Sequence, residues 1–346
     1  MLTRRLLPAI LALSFVGAAL GGAYVAQHWQ APRALTTHNH DSNAIDTDAN
    51  DDSDDSDAQT DAPAWPDNAP TPEQILYRQP QMLHDAAAKL EPRSPGRVNL
   101  YFVGFAGDSE EDVFRNEAEY ADKLLAQRFG NAGHDALLVN NTTTLLQYPL
   151  ASLSNLESTV KAIADKMNRD EDVLMLLLTS HGSKQHELYV SMDPLPLDQI
   201  APEDLADVLK KSGVRHRVVV ISACYSGGFI DALKNATTMV ITAARADRAS
   251  FGCSTESEIT DFGRAFFVEG LNHNDSFGSA FAEAKKLVDV WETRNGEEHS
   301  YPQIVTTPQI DAKLKAWRSG ISLGAPVPFV PPAKPMQSDS LTALRY

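Results

Sequence analysis

At 172–179 the chain reads DVLMLLLT, and at 217–222 it reads RVVVIS. Apolar runs this short, without the alternation of a half-solvated strand, are strands buried on both faces. A sheet built from such strands must be covered on both sides. That confines the fold to the α/β class: a mainly parallel sheet with helices on both faces. The flanking sequence agrees. Strand-like runs occur at 98–105, 136–139, 188–190 and 239–243, with a short edge strand at 303–306. Between them, apolar residues at helical spacing predict helices over 111–129, 154–168, 202–211, 262–271 and 276–294. Gly130 and Gly296 stop two of these helices, and Pro202 opens another.

The 346 residues are 43% hydrophobic and carry a formal net charge of −16. That is enough apolar residue for one sizeable core, and the charge excludes the basic footprint that nucleic-acid binding needs. The acid is concentrated: 34–77 holds ten Asp and one Glu and neither Lys nor Arg. With almost no aliphatics, 31–75 reads as a disordered acidic linker. Asp46, Asp48 and Asn50 imitate the start of a calcium loop, but Asp51 stands where its turn needs Gly, and His38 and His40 lack partner ligands. Arg4 and Arg5 precede an uncharged apolar run at 6–26, so 1–30 reads as a signal anchor of bilayer-spanning length or as a cleaved signal peptide. Either exports the body, as a single-pass inner-membrane protein facing the periplasm or as a secreted one. The Pro-rich 321–346 is expected to lie outside the fold, which leaves 76–320 as one domain.

In parallel sheets, functional groups gather at the carboxyl ends of the strands. Two of the most apolar strands run directly into reactive side chains. One is followed by Ser180-His181-Gly182, the other by Ala223-Cys224-Tyr225-Ser226-Gly227-Gly228. Parallel neighbours bring those ends together, so His181 and Cys224 are candidates to face each other. A cysteine nucleophile needs a nearby proton acceptor and fixed N–H donors for the oxyanion. Taken singly, a Cys after a Val-rich strand is most often a buried small hydrophobe. The paired contexts point to catalysis.

These motifs resemble the legumain (asparaginyl endopeptidase) family of cysteine peptidases, in the caspase–hemoglobinase group, and the likeness runs over about 99–316. For an exported bacterial member, the resemblance implies a caspase-like sheet, Cys224 as thiol nucleophile and His181 as proton acceptor and donor. It further implies an oxyanion site from the N–H groups of Gly182 and Cys224, and a polypeptide substrate cut after Asn or Asp. Around the substrate side chain it implies Arg115, Ser222 (where relatives carry an acid) and Asp261. Val113 stands where the family has the Asn that orients the histidine, with Asp112 beside it as a substitute. Transpeptidation on the same dyad and an inactive envelope scaffold are the alternatives. A Cys224–Cys253 disulfide would silence the nucleophile. No Gly-rich phosphate loop, Cys-x-x-Cys or His-Glu-x-x-His is present, so neither cofactor nor metal is expected.

Overall fold

A computed structural model describes residues 65–331 except residue 255. Six strands form one sheet in the order β2-β1-β3-β4-β5-β6. They are β1 (Leu100–Ala106), β2 (Asp135–Val139), β3 (Val173–Thr179), β4 (His216–Ser222), β5 (Thr238–Thr242) and β6 (Gln303–Val305). The first five are parallel, and β6 closes one edge antiparallel to β5. β1 and β3 are buried at every position, as their unbroken apolar runs require.

Alternate residues of each strand supply two separate cores. Phe102, Met175, Val218 and Ile241 point to one face. It is covered by α2 (Asp112–Phe129), by α6 (Asp261–Gly263) running on as a π-helical stretch (Arg264–Leu271), by α7 (Phe277–Asn295) and by α8 (Pro308–Ser319). Trp317 of α8 stacks between Phe129 and Phe277, with ring centroids 5.7 Å away on each side. Tyr101, Leu176, Val219 and Val240 point to the other face, under α3 (Leu153–Lys166), α4 (Pro202–Ser212) and the short α5 (Ile230–Leu233). The α/β reading of the sequence therefore holds. Residues 188–190 form only isolated bridges, Leu188 with Gly182 and with Ile200.

Two domain boundaries move. The acidic linker does not extend to residue 75: α1 (Pro72–Lys89) starts earlier, capped by Thr71, and Ile75 is fully buried against Leu145, Leu150 and Met192. Trp65 and Ala69 pack on that cluster, and the Trp65 indole N–H donates to the Pro70 carbonyl at 2.9 Å. Nor does the Pro-rich tail leave the fold at Gly320. Val327 donates its N–H to Asn272 Oδ1 at 2.7 Å, and its carbonyl accepts from Asn272 Nδ2 and the Tyr120 hydroxyl, each at 2.9 Å. An Asn side chain presents a donor and an acceptor at the spacing of a peptide group, so it holds an extended chain as a neighbouring strand would. The membrane-anchor reading at 1–30 lies outside the described residues, among which no helix is long and apolar enough to cross a membrane.

Candidate active site

The register of the parallel strands places the chemistry. Ala106 of β1 pairs with Thr179 of β3, and Thr179 pairs with Ser222 of β4. The ladder runs one step further, with the Gly107 N–H donating to the Thr179 carbonyl at 3.0 Å and the Ser180 N–H to the Ser222 carbonyl at 3.2 Å. Two residues beyond each last ladder pair stand Asp108, His181 and Cys224, in one row across three adjacent strand ends. The two loops that carry His181 and Cys224 touch through their backbones. A Cβ on Gly182 would lie 2.1 Å from the Cys224 carbonyl oxygen, so only glycine fits there. The Gly182 N–H has no acceptor among the described residues.

After Cys224 the chain turns sharply. Tyr225 adopts a left-handed conformation, φ 55°, and donates its N–H to the Arg248 carbonyl at 2.8 Å. Gly228 then passes so close to the His186 ring that a Cβ would overlap it. Cys224 and His181 line one small pocket of about 10 Å³ with Phe114, Ser250, Phe251 and Cys253. Cys224 Sγ accepts from the Ser250 N–H at 3.2 Å and sits 3.4 Å from the Ser250 carbonyl. The Phe114 ring meets the His181 imidazole edge-on, centroids 5.0 Å apart.

Burial sets the protonation of the pair. It pushes the Cys224 thiol up, against the pull of the Ser250 N–H and its own N–H. Burial pushes His181 down from its usual value, with the Asp108 charge opposing. Both shifts favour the neutral forms, so the resting site holds a thiol and a neutral imidazole. Cys253 is a second free thiol, raised by burial to about 11. The two cysteines are unpaired, so the disulfide considered from the sequence is not formed.

The residues expected around the substrate divide. Ser222 is at the site, buried, its hydroxyl 3.2 Å from that of Thr260, which lines the same pocket. Arg115 is not among the residues lining the pocket. Its guanidinium donates to Asn141 Oδ1 at 3.0 Å, to the Thr143 hydroxyl at 2.6 Å and to Asn116 Oδ1 at 3.1 Å, and pairs with Asp112 at 3.2 Å. Those contacts occupy it in tying α2 to the loop after β2. Asp261 packs on Gly252, where a Cβ would come within 2.5 Å of its carboxylate, and it too lies outside the pocket lining. Asp112, considered as a substitute orienter of His181, accepts instead from Asn141 Nδ2 at 2.9 Å.

Sequence reasoning missed three residues. Ser250 lies in a loop with no periodic signal. Asp108 was readable in principle, standing two residues after a strand end as His181 and Cys224 do. Glu117, on α2, has no exposed surface and sits beneath the strand ends: its Oε2 accepts from the hydroxyls of Thr260 at 2.6 Å and Thr179 at 3.1 Å, while Oε1 has no partner. Burial raises this carboxyl to about 7 against those hydrogen bonds.

Residues 150–310 match the model of the Peptidase C13 family. Comparison with curated proteins gives no match. Among solved structures, caspase-1 from Spodoptera frugiperda is similar at 13% identity and a TM-score of 0.41, over 63% of this chain and 92% of that one.

Proposed function

We propose that the chain, whose residues 150–310 match the Peptidase C13 family model, is a cysteine endopeptidase working through Cys224 and His181. The observation that supports the proposal is the shared register of β3 and β4, which brings His181 and Cys224 to adjacent strand ends where both line one pocket. With both groups neutral at rest, His181 removes the thiol proton as Sγ attacks the scissile carbonyl carbon. The same imidazole then protonates the departing amine, leaving a thioester on Cys224 that water resolves. We assign the oxyanion to the Gly182 N–H, supported by its lack of an acceptor among the described residues and its packing against the Cys224 backbone.

A pocket of about 10 Å³ has room for little more than one water. A peptide approaching Cys224 meets the loop carrying Ser250, which contacts Sγ through both its N–H and its carbonyl. Cleavage after Asn or Asp is part of the same reading and is supported by the family resemblance, not by Arg115 or Asp261 as they stand. Export with the catalytic domain outside the inner membrane is supported by Arg4, Arg5 and the apolar run at 6–26. Fractionation, with protease digestion of intact and opened cells, tests it; a cytosolic pool would refute it.

Peptide-library cleavage by the full chain tests the activity. Cys224→Ala and His181→Ala should each lower turnover by ~10³ or more, and the double variant should be little worse than either, as members of one catalytic unit behave. Retention of more than a tenth of turnover in Cys224→Ala would refute the assignment. No cleavage by the wild-type chain, with a Cys224 thiol no more reactive than a free one, would favour an inactive scaffold.

A further inference from the structure

The row of strand ends has a third member, and it lies outside the segment that matches the family. Asp108 follows β1 as His181 follows β3, and Gly107 brings the strands close: a Cβ there would fall 2.8 Å from the Tyr189 carbonyl oxygen. The Asp108 side chain has no exposed surface. Its Oδ1 accepts the Glu110 N–H at 3.0 Å. Its Oδ2 has no hydrogen-bond partner and lies 3.7 Å from His181 Nε2. A buried carboxylate oxygen left without a donor is costly, and nothing else around Oδ2 offers it a hydrogen bond among the described residues. The charged neighbours of Asp108, Glu110 on its own loop and Asp193 across from it, are also acidic and deepen that cost. Among the described groups that act on Asp108, only His181 can carry a positive charge.

We propose that Asp108 is the positioning residue of the site: it holds His181 with Nε2–H toward Oδ2, which leaves Nδ1 as the proton acceptor for Cys224. The proposal rests on the cysteine-peptidase reading and adds the group that the sequence placed elsewhere. Neither the residue at the family's orienting position nor its neighbour acts on the histidine: Val113 is apolar and buried in the core against the sheet, and Asp112 is bound to Asn141 and Arg115. At 3.7 Å the Asp108–His181 contact is that of a resting site; protonation of His181 during thiol attack turns it into a charge-assisted bond, which shortens such contacts. The edge of Phe114 blocks the ring from swinging away. The burial that lowers His181 is countered by Asp108, and the remaining titratable groups near the pair, Glu110, Asp193, Cys224 and Cys253, add no positive charge.

The test is Asp108→Asn in the full chain, with three readouts. Turnover should fall ~10²–10⁴-fold with the Michaelis constant little changed, the size expected when an orienting carboxylate is lost. The acid limb of the pH profile should move to lower pH, since removing the negative charge makes His181 harder to protonate; a mere loss of folded protein would lower the plateau and leave the limb in place. Ring NMR of His181 should show the same downward shift, with or without substrate. Unchanged turnover, or an unmoved His181 titration, overturns the proposal. Should the variant fail to fold, the wild-type imidazole decides through its ¹⁵N shifts: a neutral ring protonated at Nδ1 refutes the assignment, and one protonated at Nε2 supports it. The NMR readouts need no activity. A wild-type chain without cleavage, but with a His181 titration that responds to Asp108→Asn, would sink the peptidase reading and leave the coupling standing.

Discussion

Replacing Glu117 by Gln asks whether a carboxyl walled in by Thr179, Ser222 and Thr260 titrates inside the fold. Its pKa rises from the ordinary 4.5 to about 7 because burial disfavours the anion. At roughly 1.4 kcal/mol per pH unit, that shift corresponds to about 3 kcal/mol. Its sign follows from which state holds the proton. Between about pH 4.5 and pH 7 the folded chain keeps a proton that the unfolded chain has released. The wild-type fold therefore loses stability as pH rises through this window, and above it carries the whole penalty of a buried charge. Gln removes the titration. It still accepts from Thr260 and Thr179, but its amide N–H groups replace an oxygen that has no partner, leaving buried donors at a cost of about 1–2 kcal/mol.

The two terms cross. At pH 5 Glu117→Gln should be the less stable protein by about 1 kcal/mol, and at pH 8 the more stable by about 1–2 kcal/mol. Urea unfolding of both proteins at pH 5, 6, 7 and 8 measures it, and taking the difference cancels every titration the two share. A difference that stays within about 0.5 kcal/mol across that range would show that Glu117 does not change protonation there, and would refute the buried-acid argument.

Arg115→Ala should destabilise the fold by about 2–3 kcal/mol in chemical unfolding, because it strands Asn116, Asn141 and Asp112, while the Michaelis constant of the folded fraction stays near wild type. Gly182→Ala should lower turnover about 100-fold and also lower the melting temperature, since its Cβ meets the Cys224 backbone and forces the His181 and Cys224 loops apart by the order of an ångström. Asn272→Ala should cost about 2 kcal/mol in thermal or chemical unfolding by releasing both bonds to Val327; no change would mean the tail contributes nothing.

The sheet was readable because VLMLLLT and VVVI admit few alternatives, and the helices because their apolar stripes matched them. Composition misled where it stood in for packing. The segment from 65 to 75 and the tail near Val327 are poor in core residues, yet one Trp, one Ile and one Val each find a prepared surface, and Asn272 supplies hydrogen bonds that no propensity encodes.

The site divides along the same physical line. Parallel strands in register advance together by one residue per step, so side chains equally far past paired strand ends must be neighbours. His181 and Cys224 follow that rule and were found; Asp108 follows it as well. Family resemblance points for an orienting group to helix α2 instead, where Val113 occupies the position. Val113 faces the sheet core, where a polar side chain would be buried. Arg115, two residues further along the same helix, had no register to constrain it, and its long side chain is taken up by Asn141 and Thr143. Strand ends fix where a side chain begins to within one residue, whereas the reach of a helix or loop side chain depends on partners that only packing reveals.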